Sequence, residues 1–547
     1  MPVSPVEVPA AARDAWASIV GEAHVADAAS LTSAAATATF KTTASVPLIV
    51  RPDTREQVQA CVRVAQRFRI PLYPVSSGLN WGYGSRVPAS TGNVILDLGR
   101  MRRIVEFSEP LAYVTVEPGV TQQQLYDFLT ARRSGLWMDA TGTSPAASLI
   151  GNTMERGFGH TPYGDHFAHV CALEVVLGDG TCIDTGFGRF GQTATAPVYR
   201  WGLGPVLDGL FTQSNFGIVT RMTIWLMPAP ERFEAFFFRC DSAGDLGRAI
   251  DALRPLKLSG TLRSAVHVGN DYKVLNGLQQ YPWKEMGGRT PLTPADMEPF
   301  RARLRIGLWN GSGGLYGTRG QIAEARRLVR ARLKGIAGRV QFLDDRMLGL
   351  ARRFARPYRM LTGWDLSAAL DLLGPVYGLM RGVPTAQPLA SAYWRKRQPP
   401  PAQMDPDRDR CGLLWCAPVA PLDGGHAERL AAISSEVLLG HGYEPLISIT
   451  LVTDRAITCV VSISYDRDVP GEDERALACY HALLDALDVA GYHSYRLGIP
   501  AMGRRPRHDS ARVLLDRLKQ VCDPDGVLAP GRYGLGRAPD GEGIRQD

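Results

Sequence analysis

Four places in the chain carry residue types that could handle an anion. Tyr495-Arg496, after Gly491-Tyr492-His493, sets a phenol hydroxyl beside a guanidinium. Such a pair can hold an anionic oxygen by two charge-assisted hydrogen bonds, and the arginine does not deprotonate. Taken alone, the dipeptide reads as surface. The second place is Ser76-Ser77-Gly78-Leu79-Asn80-Trp81-Gly82-Tyr83-Gly84-Ser85, a glycine-rich turn directly after a strand pattern. Without Cβ atoms in the way, its backbone N–H groups can approach a pyrophosphate; it can also be a plain turn. It matches neither GxGxxG nor GxxxxGK[ST], so neither dinucleotide binding of the Rossmann type nor ATP hydrolysis gains support. The third place is a small-residue stretch, Gly142 to Asn152 with Ser148 and Gly151 inside it, followed by Gly157-Phe158-Gly159 and Thr161-Pro162-Tyr163-Gly164-Asp165-His166. Two glycine-rich segments in one domain suit a long phosphate-containing cofactor lying extended between them. The fourth is Arg532, a cation in Ala529-Pro530-Gly531-Arg532.

Other chemistries find less support. His160, His166 and His169 lie close together, with Asp165 beside them. HExxH spacing is absent and no distant His/Cys partner is evident, so no metal is expected. Neither a GxSxG elbow nor a cysteine-nucleophile signature is present.

The composition sets the frame. At 547 residues with 45% hydrophobic and 21% charged, the chain is an ordinary globular protein of several domains and not an intrinsically disordered one. Its longest apolar runs, such as that ending at Phe238, fall far short of the ~18 residues of a membrane span. The net charge of +7 is spread along the chain. Short basic clusters at 394–397 and 503–508 are flanked by acids or prolines and read as solvated surface or neighbours of a cofactor phosphate, so no nucleic-acid partner is expected. Nine cysteines without a CxxC pair read as free thiols in a reducing compartment. No basic-then-apolar signal pattern opens the sequence. A cytoplasmic location is the expectation.

The elements that must position these residues follow from periodicity. Leu48–Val50 reads as a strand, and a helix capped by Asp53 or Thr54 presents Val58, Cys61, Val62 and Ala65 as its apolar stripe. With strand Ile70–Val75 this makes a βαβ unit. Strands follow at Asn93–Leu98, Tyr113–Glu117 and Leu173–Leu177, the last ending in the Gly178-Asp179-Gly180 turn. Pro228-Ala229-Pro230 is a plausible boundary. Beyond it come strand Phe233–Phe238, helices Asp245–Leu253 and Gln321–Leu333, a loop at 398–410, strand Gly412–Cys416, strands Leu446–Val452 and Ile457–Tyr465 as a pair, and helix Glu472–Val489. Helix Val513–Cys522 and an irregular segment through Gly534 close the chain.

In this order the pieces resemble the vanillyl-alcohol oxidase / 4-cresol dehydrogenase family of FAD flavoproteins. The matching stretches are Pro74–Gly84, Val116–Val120, Ile150–Gly157, Thr161–His166, Leu173–Leu177, Gly209–Val219 and Asp523–Arg532, with Asp251–Leu256 in the second region. The resemblance implies an α+β, two-domain FAD-binding fold of the p-cresol methylhydroxylase (PCMH) type. A discontinuous FAD domain would comprise residues 1–228 and 498–547, and a cap (substrate) domain, 229–497, would be built on an antiparallel sheet flanked by helices. It implies FAD held by Ser76, Ser77, Gly78, Leu79, Asn80, Ser148, Gly151, Asn152, Gly159, Tyr163, Gly217, Ile218, Val219 and Arg532. It also implies a para-substituted phenol bound as phenolate by Tyr83, Tyr495 and Arg496, which loses a benzylic hydride to flavin N5 and becomes a quinone methide.

Departures from the family pattern carry their own expectations. The oxidase branch's Asp near N5 is replaced by Thr143-Ser144, and the dehydrogenase branch's cap glutamate and histidine pair fall at Ser448 and at about Ile457-Thr458. No general base for water addition is therefore evident. Leu413 stands where a histidyl flavin link would sit and Ala392 where a tyrosyl one would, with Tyr393 adjacent. The reading is non-covalent FAD, Tyr393 being the one linkage candidate. The electron acceptor would be dioxygen, a cytochrome c or a copper protein, and the assembly a homodimer. Two rivals stand beside this: the same fold acting on a carbohydrate, hydroxy acid or specialised metabolite, or a catalytically lapsed flavin-binding protein.

Overall fold

The computed structural model describes residues 7–27, 37–191, 193–350, 353, 374–504 and 508–536. The first six residues, the tail from 537 and the middle of the basic run at 503–508 lie outside them. Up to Pro228 the chain builds two main sheets. The first has four strands in the order Val25–Asp27, Leu48–Val50, Val94–Asp97, Leu72–Val75. Helix Arg55–Phe68 starts where Thr54 Oγ1 accepts from the Gln57 N–H at 3.2 Å, and it buries Val58, Cys61, Val62 and Ala65. The strands flanking this helix are parallel but not neighbours. Val94–Asp97 inserts between them, and its Val94, Ile95 and Leu96, apolar and shut off from solvent, account for its central place.

The second sheet is antiparallel, in the order Ile104–Ser108, Tyr113–Val116, Ile218–Trp225, Val170–Val176, Cys182–Asp184. Its last two strands form the hairpin expected around Gly178-Asp179-Gly180. The C-terminal segment returns to the first sheet, where Leu528 bridges Leu72. Helix Arg512–Cys522 is pinned there by the buried ammonium of Lys519, which donates to Asp523 and to the carbonyls of Asn215 and Leu528.

From Arg232 to Asp466 the chain makes one eight-stranded antiparallel sheet. Its order is Arg339–Leu343, Arg232–Cys240, Trp309–Gly317, Val266–Asn270, Leu446–Leu451, Ala456–Asp466, Cys411–Cys416, with Val419–Pro421 also on Ala456–Asp466. Period-2 alternation divides its faces. Val266, Val268, Ile447, Ile449, Leu414, Cys459 and Val461 enter a core that also contains residues of helices Asp245–Leu258, Arg319–Leu333, Gly424–Gly440 and Glu472–Val489. The intervening His267, Ser448, Thr450, Trp415 and Val460 face a cavity on the other side.

Trp309–Gly317 is central in this sheet although its glycines argue against a strand by propensity. Packing supplies the reason. A Cβ on Gly311 would lie 2.1 Å from the Phe238 ring, and one on Gly313 would lie 2.7 Å from Phe236. The two phenyl rings of the neighbouring strand occupy the space that side chains would take.

In the basic cluster at 394–397, Arg395 and Lys396 are internal and paired, not solvated, while Arg397 is exposed. Arg395 forms a buried ion pair with Glu444, and Lys396 bridges Asp466 and Asp468. All nine cysteines are free thiols. Among the described residues, no helix is long and apolar enough to cross a membrane.

Gly311→Ala is expected to destabilise the protein by about 1–3 kcal/mol through overpacking against Phe238. Gly320→Ala, where nothing lies within 4 Å of the new methyl, leaves the midpoint unchanged or raises it. Thermal or denaturant unfolding of the two variants checks this.

Candidate active site

A cavity of ≈ 470 Å³ lies between the free face of the eight-stranded sheet and the glycine-rich segments of the first two sheets. Strand Leu72–Val75 leads into the turn at 76–85, which winds tightly because the Asn80 carbonyl accepts from the N–H groups of Tyr83, Gly84 and Ser85 at 3.0–3.2 Å. Gly82 has φ +77°, and a Cβ there would sit 1.8 Å from Trp415 Cδ1. Only glycine permits both that backbone and the tryptophan's approach.

Tyr83, Tyr495 and Arg496 all line this cavity. The Tyr83 carbonyl accepts from the Ile499 N–H at 2.8 Å, and the Tyr495 N–H donates to Ala417 O at 3.1 Å. The Arg496 guanidinium carbon lies 4.3 Å from the Tyr83 ring centroid, and Nη2 donates to Asn80 Oδ1 at 2.5 Å. Burial raises the pKa of both phenols, Tyr83 well above the usual value. At Tyr495 the Arg496 charge and hydrogen bonds from Arg496 and Tyr83 oppose that rise. Both hydroxyls are therefore protonated donors at neutral pH.

Arg496 is only 8% exposed, and its charge is compensated from behind. Its Nε lies 3.3 Å from Glu155 Oε2. The same carboxylate is bound by Arg532 and by the Tyr533 hydroxyl at 2.7 Å, and Arg532 also donates to Tyr73. Burial alone would raise the Glu155 pKa, but the two guanidiniums outweigh it and hold the carboxyl below its ordinary value. Sequence reasoning did not single out Glu155, although it lies within the Ile150–Gly157 stretch that carried the resemblance.

Ser76, Ser77, Gly78, Leu79, Asn80, Ser148, Gly151, Asn152, Gly217, Ile218, Val219 and Arg532 line the same cavity. Gly159 and Tyr163 do not. Gly159 packs against Asp139, leaving no room for a Cβ, and Tyr163 stacks on His169 beside a smaller second cavity. His166 bridges Asn152 Oδ1 at 2.6 Å and Asp139 Oδ2 at 2.7 Å. Among the described residues, no group of three His, Cys, Asp or Glu side chains is placed to hold a metal. Tyr393 is buried with its hydroxyl on Asp409 and does not line the cavity, whereas its neighbour Ala392 and Leu413 do.

The residues present fit the FAD that the sequence resemblance implies. A Cβ on Gly151 would fall 2.3 Å from Ser76 Oγ, so the backbone is bare where the two glycine-rich segments meet. Trp81 Nε1, Ser214 Oγ and Asn215 Oδ1 line the cavity buried and without a hydrogen-bond partner among the described residues, an arrangement that a polar ligand would satisfy.

The cavity holds three further basic side chains that sequence reading missed or set aside. The His160 and His267 rings lie 4.6 Å apart, and His267 Nδ1 is 3.1 Å from Thr450 Oγ1. Burial lowers the pKa of both, His267 strongly, so both are neutral near pH 7. Lys273 lies over the Trp415 ring at 4.9 Å. His267 stands on strand Val266–Asn270 and Lys273 on the helix that follows it, whereas His160 comes from the loop after helix Leu149–Met154; only the fold brings the three to one cavity.

Comparison with known proteins adds to this geometry. A model of an FAD binding domain matches residues 46–186. The chain is 46% identical, over 95% of its length and 96% of the relative's, to the 1'-carboxy-chondrochloren decarboxylase of Chondromyces crocatus. It is 33% identical, over 89% and 87%, to the 4-cresol dehydrogenase [hydroxylating] flavoprotein subunit of Pseudomonas putida. A crystal structure of p-cresol methylhydroxylase with substrate bound superposes with a TM-score of 0.86 at 30% identity, covering 98% of this chain and 99% of that one.

Glu155→Gln leaves two buried guanidiniums without their carboxylate and is expected to cost about 3–5 kcal/mol of stability. Because the folded carboxyl titrates below the ordinary 4.5, its contribution is present above that pH and is lost as pH falls through the folded value. Unfolding midpoints measured from neutral to acid pH check both: the variant is less stable at neutrality, and the gap narrows in acid.

Proposed function

This chain belongs to the p-cresol methylhydroxylase-type family of FAD-dependent oxidoreductases, and we propose that it oxidises a para-substituted phenol bound as its phenolate. The observation that carries the reading is the meeting of Tyr83, Tyr495 and a charge-compensated Arg496 on one cavity wall. Two phenol donors and one fixed cation lower the cost of ionising a bound phenol. Ionisation sends electron density to the para carbon, so hydride loss from the benzylic position leaves a neutral quinone methide instead of a bare cation. FAD supplies the two-electron acceptor for that hydride. The chain's own part is to hold the oxyanion, orient the ring and keep the pocket dry. Carbohydrates and aliphatic hydroxy acids lack the acidic aryl hydroxyl that this trio suits.

A quinone methide must then be quenched, and the lining favours a particular course. Glu155, the one carboxylate lining the cavity among the described residues, is committed to Arg496, Arg532 and Tyr533. A quench that needs no carboxylate base is loss of CO₂ from a carboxylate on the carbon next to the benzylic one. The pair of electrons in the breaking C–C bond becomes the new side-chain double bond, and the ring returns to phenolate with no proton moved. The decarboxylase at 46% identity supports this second half of the reading; 4-cresol hydroxylation, which requires water activation, is the less favoured outcome.

Anaerobic mixing with a 4-alkylphenol should bleach the flavin's visible absorption. Tyr495→Phe and Arg496→Ala should each slow bleaching by about 10²–10³-fold, the usual cost of one oxyanion donor. A wild-type rate in the double variant would remove the phenolate mechanism.

The flavin itself should be free of covalent attachment, because Leu413 and Ala392 offer no nucleophile and Tyr393 is held by Asp409. Denaturant followed by filtration is expected to release all the yellow colour; fluorescence retained on the polypeptide in a denaturing gel would contradict this.

A further inference from the structure

Lys273 is a half-buried cation for which the described residues provide no counter-charge. It follows strand Val266–Asn270 at the start of helix Asp271–Leu278, which is capped by Asn270 Oδ1 accepting from the Lys273 N–H. Its ammonium reaches the cavity, where its contacts are Ser462 Oγ at 3.3 Å and the face of Trp415. It makes no ion pair among the described residues. Burial alone acts on its pKa, which falls to about 8, so most of the population is still protonated at neutral pH.

The cavity's charges can be accounted for group by group. Arg496, Arg532 and Lys273 face a single carboxylate, Glu155. Glu155 is shared by Arg496 and Arg532, and a phenolate would sit at Arg496, so neither meets Lys273, whose contacts are Ser462 and Trp415. Trp415 connects the two ends: one side packs on Gly82, next to Tyr83, and its ring carries the lysine. The same cavity is also lined by neutral hydrogen-bonding groups, Ser448, Thr450, His267 and His160, the Nε2 of His267 and the Nδ1 of His160 being buried without partners among the described residues. An unpaired buried ammonium among polar groups suits an anion with several acceptor oxygens.

Building on the phenolate reading, we propose that Lys273 binds a carboxylate on the substrate's para side chain, so that the enzyme selects para-hydroxyphenyl alkanoic acids over neutral alkylphenols. Lys273 is thereby a specificity residue that fixes the side-chain end of the substrate while the tyrosine–arginine trio fixes the ring oxygen.

The test uses holoenzyme and two ligands with no benzylic hydrogen to lose, 2-(4-hydroxyphenoxy)acetate and its neutral amide, titrated by the perturbation of the flavin spectrum. A charge-assisted contact predicts that the acid binds about 10–100-fold more tightly than the amide. Lys273→Met should bring the ratio to near one, and Lys273→Arg should restore a preference for the acid, which a merely structural lysine would not do. Flavin content and unfolding midpoint show that each variant is folded; if Lys273→Met fails to fold, the acid-to-amide ratio of the wild type and of Lys273→Arg still decides. Equal affinities in the wild type, or a preference that survives Lys273→Met, overturn the proposal. If 4-alkylphenols nevertheless bleach the flavin, the phenolate reading stands without it. If no phenol binds or bleaches, the phenolate reading fails and this inference with it.

Discussion

The site rests on one buried carboxylate shared by two guanidiniums. Glu155 comes from the first half of the chain, Arg496 from the segment that leaves the eight-stranded sheet and Arg532 from the C-terminal return. Bringing three ions out of water is costly, and each is tolerable only while the others are in place. The cluster therefore ties together segments hundreds of residues apart. It also leaves a positive surplus facing the cavity, because one acid cannot neutralise two bases. An arginine whose charge is fixed from behind and whose face stacks on Tyr83 is suited to an oxyanion: it cannot lose its proton, and its approach direction is set before any ligand arrives.

The scaffold around this cluster follows from simple alternation. Alternate residues of strands Val266–Asn270, Leu446–Leu451, Ala456–Asp466 and Cys411–Cys416, such as Val266, Val268, Ile447, Ile449, Cys459, Val461 and Leu414, share a core with the helices. The residues between them, His267, Ser448, Thr450 and Trp415, have no helix to meet and look into the cavity. The strands thus spend one face on stability and leave the other to vary. That division puts Tyr83, Tyr495 and Arg496 on one side of the cavity and the hydroxyls of Ser448 and Thr450, the neutral imidazole of His267 and Lys273 on another.

Legibility in the sequence followed the range of the interactions. The Thr54 cap, the apolar stripe of Arg55–Phe68, the hairpin at Gly178–Gly180 and the long helix Glu472–Val489 are local effects, and each is readable within one turn or one strand. The strand Trp309–Gly317 was not readable, because its glycines make sense only beside Phe236 and Phe238, which arrive from far earlier in the chain. The interposed strand Val94–Asp97 is likewise a matter of topology and not of periodicity. Within the site, residues carried by glycine-rich motifs were legible, but Gly159 and Tyr163 belong to the Asp139–His166 side of the wall. Glu155 and Lys273 had no signal of their own: a charged residue in isolation resembles any surface charge until the fold buries it.

The lining also constrains how a quinone methide in this cavity could be quenched. A site that adds water across a quinone methide needs a group to take the water's proton, and a carboxylate engaged by two arginines is a poor acceptor because its pKa is held down. The imidazoles of His160 and His267 are kept neutral by burial, and at His267 the neighbouring His160 and Lys257 add to that effect, so neither ring readily takes up the water's proton. A substrate that brings its own carboxylate removes both difficulties. It neutralises the lysine on binding, and it carries within itself the electron pair that restores the aromatic ring. On the proposed reading, the lysine would place the carboxylate, and the charge released on loss of CO₂ would pass to the ring oxygen held by Tyr83, Tyr495 and Arg496.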